Sequence, residues 1–137
     1  MIHHVMAHAI DDMPLFRDDD DRAAFRTMLK QGLRSTGFEC YSWSLMTNHY
    51  HLEVRTNHKH LAELMRPLNS RYAKHYNRRH SRRGYLFRER YNSVLYSDHE
   101  YALNLARYIH LNPLKAGICC SMEELNSWPW SGHAALM

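Results

Sequence analysis

Negative charge is almost missing from one long stretch of this chain. Between Arg66 and Arg90 stand nine of its eighteen Lys and Arg residues, and only Glu89 opposes them. Cysteine is scarce as well. Cys40, Cys119 and Cys120 are odd in number and lack the spacing of a metal-binding set, so free thiols of a cytosolic protein are expected. No apolar run approaches the ~18 residues of a membrane span, and the N-terminus does not read as a signal peptide. Internal repeats and low-complexity segments are absent too. What is left is one domain, residues 1–137, of ordinary globular composition, 45% hydrophobic and 23% charged.

The basic stretch is interleaved with Tyr72, Tyr76, Tyr85, Phe87 and Tyr91. Cationic side chains neutralise phosphates, and aromatic faces stack unpaired bases. A solvated helix face over core aromatics would give a similar pattern. The imbalance of sign favours a polyanion, and the net charge of +4 agrees with it. Nucleic acid is the expected partner.

A second feature is the run Met46-Thr47-Asn48-His49-Tyr50-His51-Leu52-Glu53-Val54. As a strand it puts His49, His51 and Glu53 on one face and Tyr50, Leu52 and Val54 on the other. Same-face neighbours lie roughly 6.6 Å apart along a strand, close enough for two imidazoles to lean towards one divalent ion. With twelve histidines in the chain, a His-x-His pair also arises by chance.

In chain order, Ile2 to Ile10 reads as a strand and the stretch from Asp11 to Pro14 as a turn. Asp18 to Asp21 suit a helix N-terminus, where backbone amides favour negative charge. That helix should run to Ser35, bury Phe25, Met28, Leu29 and Leu33, and stop at Gly37. Glu39 to Met46 forms a second strand with Tyr41, Trp43 and Leu45 on one face. Thr47-Asn48 turns it into the His49–Arg55 strand. A helix over Leu61 to Arg79 carries Leu61, Leu64, Met65, Leu68, Tyr72 and Tyr76 on one side, with a kink or broken first turn expected at Pro67. Ser81 to Gly84 is a loop, and Leu86 to Tyr96 supplies a fourth strand, best patterned from Ser93. Ser97 and Glu100 fit a capping box, and the helix after it should end near Leu111, before Pro113. Trp128-Pro129-Trp130 reads as a packing tail. This order predicts an α+β fold: a ferredoxin-like antiparallel sheet with helices packed on one face and the His-x-His run on a central strand.

In the last helix Tyr108 and Asn112 are four residues apart and share a face. Each also fits a plainer role, a half-buried core tyrosine and a helix stop. A tyrosine beside a metal can do covalent phosphoryl chemistry, because the ion neutralises a phosphate oxygen while the phenolate attacks phosphorus.

Several segments then fall in a familiar order: Met46-Thr47-Asn48-His49-Tyr50-His51-Leu52, Tyr72 and Asn77, residues 84–91, residues 107–117, and Trp130-Ser131. Together they resemble the REP-associated tyrosine transposases, relatives of the single-strand insertion-sequence transposases with an HUH motif. The resemblance implies a bacterial, cytoplasmic, nucleoid-associated enzyme that cleaves and rejoins single-stranded DNA of repeat hairpins. It implies His49, His51 and Asn112 as ligands of Mg²⁺ or Mn²⁺. Tyr108 would be the nucleophile, leaving a 5′-phosphotyrosine link and a free 3′-hydroxyl. Arg71, Lys74, Arg78, Arg79, Arg82, Arg83, Arg88 and Arg90 would track the DNA backbone, with Tyr85 or Phe87 stacking a base. A homodimer sharing its sites between subunits is one arrangement known among such relatives. The chain departs from the family pattern with Thr47 for the usual proline, His8-Ala9 for Arg-Gly, and Glu53 at a commonly aliphatic place, either as an extra ligand or as an exposed residue. The alternatives are a domesticated hairpin-DNA-binding protein that no longer cleaves, and a metal hydrolase in which Tyr108 is structural.

Overall fold

The computed structural model describes residues 1–96 and 99–132, with no side-chain description for His99 and Glu100. The expected capping box at Ser97 and Glu100 lies outside the described residues. Its elements are β1 (Ile2–His8), α1 (Asp19–Thr36), β2 (Glu39–Leu45), β3 (His49–Arg55), α2 (Ala62–Arg79), β4 (Asn92–Tyr96), α3 (His99–Lys115) and α4 (Met122–Ser127). The strands form one antiparallel sheet in the order β2-β3-β1-β4. This is the expected α+β architecture, with β3 central. No helix among the described residues is long and apolar enough to cross a membrane.

Alternation divides the sheet. Tyr50, Leu52 and Val54 of β3 and Val5 and Ala7 of β1 enter the main core, together with Phe25 and Leu29 of α1 and Leu64, Met65, Leu68, Tyr72 and Tyr76 of α2. Phe16, Phe25, Tyr50 and Tyr72 meet with ring centroids 4.8–5.5 Å apart. Such pairs add about 0.5–1.5 kcal/mol each beyond their burial. The two tyrosine hydroxyls of α2 are satisfied locally, Tyr72 Oη donating to Leu15 O at 2.7 Å and Tyr76 Oη to Pro14 O at 2.6 Å. Helices α1 and α2 share this face. The helices do not all pack on one face, in contrast to the expectation from sequence: α3 lies across the other one, over β2 and β3, and that side holds the histidines.

The acidic run caps α1, as its composition suggests: the Asp18 carboxylate accepts from the Asp21 amide at 3.0 Å. Gly37 closes the helix with φ +76, a left-handed cap that glycine adopts without penalty. The run also clamps the end of α2. Both terminal nitrogens of Arg79 reach Asp18, at 2.6 and 2.7 Å, and His80 Nε2 lies 2.8 Å from the buried Asp21. The Arg79 hydrogen bonds and the capping amide hold the Asp18 carboxyl down at about 2.

Several expectations are corrected. The register shifts between Cys40 and Ser42, so Tyr41 leaves the alternation of Trp43 and Leu45 and stays exposed, accepting from Arg55 Nη1 at 3.1 Å. Pro67 does not break α2. It lies on the exposed side, where water can serve the carbonyl it leaves unpaired, and the first turn tightens through i to i+3 bonds at Glu63 and Leu64. Helix α3 runs past Leu111 to Lys115. Pro113 is buried there and forfeits only one donor, while its carbonyl accepts from Cys119 N at 2.9 Å. The fourth strand is shorter than expected, and ahead of it only Phe87 forms an isolated bridge, to Ala9. The tail contains α4, and Ser131 bridges Ser44 at the free edge of β2.

Candidate active site

The β1–β3 register sets His8 opposite His49, Met6 opposite His51 and His4 opposite Glu53. His4 and His8 therefore join the His-x-His pair on the face under α3. The Nε2 atoms of His49 and His51 are 3.2 Å apart. Two nitrogens that each bind one ion at about 2.1 Å lie about 3.0–3.4 Å from one another, so the pair is spaced as two ligands of one metal.

The other ring nitrogens are already committed. His49 Nδ1 lies 2.7 Å from Asn48 Oδ1, and His51 Nδ1 lies 3.0 Å from His4 Nε2. With a proton on each Nδ1, both Nε2 lone pairs face the shared space. This is the tautomer that metal binding requires. Burial, and next the charge of His8, lowers His49 to about 4. Burial and then the neighbouring imidazoles lower His51 to about 3. Both rings are thus neutral, and ready as ligands, at ordinary pH.

Helix α3 brings Asn112 Nδ2 to 3.3 Å from His51 Nε2. Half a turn of the amide would present its carbonyl oxygen at the same place. Tyr108, one turn earlier, is 45% exposed. Its ring stands edge-on to His51 at 5.9 Å and to His4 at 6.2 Å, with Lys115 Nζ 5.8 Å from the ring centre. His49, His51, Asn112 and Tyr108 are therefore neighbours within one chain. Glu53 is not exposed. It is buried and accepts from Ser42 Oγ at 3.1 Å, and burial raises its carboxyl. Among the described residues no group of three or more His, Cys, Asp or Glu side chains is arranged for a metal.

A family model described as "Transposase IS200 like" matches residues 1–112. The chain belongs to the IS200-like transposase family. Its fold is that of a REP-associated tyrosine transposase solved bound to a REP hairpin, with TM-score 0.80 and 14% identity over 98% of this chain and 77% of that one. A putative transposase from Deinococcus radiodurans is similar at TM-score 0.56 and 18% identity, over 80% of this chain and 88% of that one. No match was found among curated proteins.

In this family member the basic residues singled out from sequence fall into two groups. Lys74, Arg78, Arg83, Arg88 and Arg90 are exposed with no side-chain hydrogen bond or ion pair among the described residues, and Arg71 donates only to Gln31 Oε1, at 3.1 Å. Arg79 is held by Asp18, Asp20 and Asp21. Arg82 braces its own loop by donating to Asn77 Oδ1 at 3.1 Å and Tyr85 O at 2.8 Å. Sequence reasoning missed His4 and His8. His8 stacks on His49 at 4.6 Å and its Nδ1 is buried without a partner among the described residues. Period-2 alternation in β1 aligns His4 with His8, but only the strand register brings them to His49 and His51.

Proposed function

We propose that this chain is a metal-dependent transposase that cleaves and rejoins single-stranded DNA, the strands of repeat hairpins, through a covalent 5′-phosphotyrosine intermediate. The observation that carries the reading is the 3.2 Å approach of His49 Nε2 to His51 Nε2, with Asn112 and Tyr108 beside it. A divalent ion, Mn²⁺ or Mg²⁺, bound by His49, His51 and the Asn112 carbonyl would supply positive charge to a non-bridging phosphate oxygen. Imidazole ligands suit Mn²⁺ better than Mg²⁺.

Tyr108 Oη attacks phosphorus, and the bond from phosphorus to the 3′ oxygen breaks. The phenolic proton passes to solvent, which reaches Tyr108, and the departing 3′ oxygen takes up a proton in turn. One phosphoester replaces another, so no nucleotide cofactor is consumed, and the free 3′-hydroxyl can reverse the reaction on the same or another end. His4 and Asn48 hold the ligand rings in their tautomers. Lys115 adds positive charge over the tyrosine ring. His49, His51, Asn112 and Tyr108 lie together in one chain, which supports a site assembled in cis rather than across a homodimer. The exposed cations Lys74, Arg78, Arg83, Arg88 and Arg90, with Arg71, would track the DNA backbone, while Arg79 and Arg82 serve the fold.

The test is to incubate the protein with end-labelled hairpin oligonucleotides from its own genomic flanks and Mn²⁺, then run a denaturing protein gel. A labelled band at the mass of protein plus DNA, lost with chelator, supports the reading. Binding to several flank oligonucleotides with no such band would contradict it.

A further inference from the structure

On the face of the sheet away from the histidines, a cleft of about 520 Å³ opens between α2 and residues 84–91. That is the size of a small-ligand site. Its walls are largely apolar, built from Met65 and Ala73 on one side and Leu86 and Phe87 on the other. Asn69 supplies a polar edge. Tyr50 Oη donates to its Oδ1 at 2.8 Å, and this fixes the amide so that Nδ2 remains available to an acceptor in the cleft. Arg66 and Arg90 border the opening, both exposed.

The cleft is also joined to the candidate active site. Phe87 bridges Ala9, and the Arg88 amide donates to His8 O at 2.9 Å. Alternation along this short extension sends Phe87 to the cleft and Arg88 to the face of His8. His8 in turn stacks on His49. A strand leaving the histidines thus meets Arg88 first and the cleft next.

We infer that this cleft receives one unpaired nucleobase of the DNA strand. A largely apolar cleft with an amide donor and cations at its mouth suits a base with its flanking phosphates. The base would lie between Phe87 and α2, accepting from Asn69 Nδ2 at a ring nitrogen or carbonyl. The inference rests on the DNA-processing reading above and adds to it a site for sequence preference remote from the chemistry.

The test is a binding series with the full-length chain and single-stranded flank oligonucleotides, each with one nucleotide replaced by an abasic site. One position should lose about tenfold in affinity, in line with a stacked base. Ser70→Phe, from an exposed position lining the cleft, should lose the same factor and become indifferent to that abasic site. Its salt dependence should stay unchanged, because phosphate contacts are untouched. Ala73→Met fills the cleft more gently and serves if Ser70→Phe lowers Tm. Either variant binding like the parent with the abasic effect intact would overturn the inference, as would a parent with no sensitive position, which would leave the slot to an apolar group of a protein partner. If the parent binds no flank DNA at all, the DNA-processing reading fails along with it.

Discussion

His4 Nε2 lies 3.0 Å from His51 Nδ1 in a buried contact across β1 and β3. The two rings are stacked, with centroids 5.3 Å apart, and His4 also touches the edge of Tyr108. One side chain thus orients a candidate ligand ring and borders the candidate nucleophile.

Removing such an orienting partner usually costs 10- to 100-fold in metal affinity. His4→Leu should therefore weaken Mn²⁺ or Co²⁺ binding by about that factor, measured by calorimetry, with far-UV circular dichroism unchanged. Unaltered affinity would make His4 a packing residue only.

Asn112 is expected to act through its carbonyl. Asn112→Asp keeps an oxygen donor and adds charge, so it should bind metal at least as tightly as the parent. Asn112→Leu should bind it more weakly. Equal affinities for the two variants would remove Asn112 from the ligand set.

His51 sits at about 3 and His49 at about 4, both below the ordinary imidazole value. The unfolded chain takes up protons near pH 6.5, and the folded chain does not until much lower. The sign follows: stability falls as pH drops from about 6.5 towards 4. For the well-enclosed His51 the slope approaches about 1.4 kcal/mol per pH unit, and His49 adds a smaller, solvent-screened share. Urea midpoints of the metal-free protein across this range measure it. A flat profile would contradict the burial of the pair.

Arg78 and Arg79 are sequence neighbours with opposite expectations. Arg79→Ala should lower Tm, because it strips a partner from the buried Asp21 and from the cap residue Asp18. Arg78→Ala should leave Tm alone and reduce the salt slope of DNA binding by about one. The reverse pattern would return Arg79 to the DNA surface.

Much of this was legible in the sequence because it is local. Alternation in His49–Arg55 put His49 and His51 opposite Tyr50 and Leu52, and the four-residue step from Tyr108 to Asn112 put both on one helix face. The cap at Asp18 and the stop at Gly37 were equally local. What escaped depends on distant partners. His4 meets His51 only through strand register, 47 residues away, and Arg79 finds Asp18 across 61. The bulge beside Tyr41 and the passage of α3 through Pro113 are tertiary outcomes that override local preference.

The central claim is that Tyr108 carries the phosphate of the cleaved strand. Peptide mapping by mass spectrometry, after reaction with flank hairpin DNA and Mn²⁺ and nuclease trimming, tests it most directly. The account predicts a nucleotide phosphate on the peptide containing Tyr108, absent from His49→Ala and from Tyr108→Phe. Cleaved DNA with that peptide unmodified, or an adduct that persists in Tyr108→Phe, would contradict it.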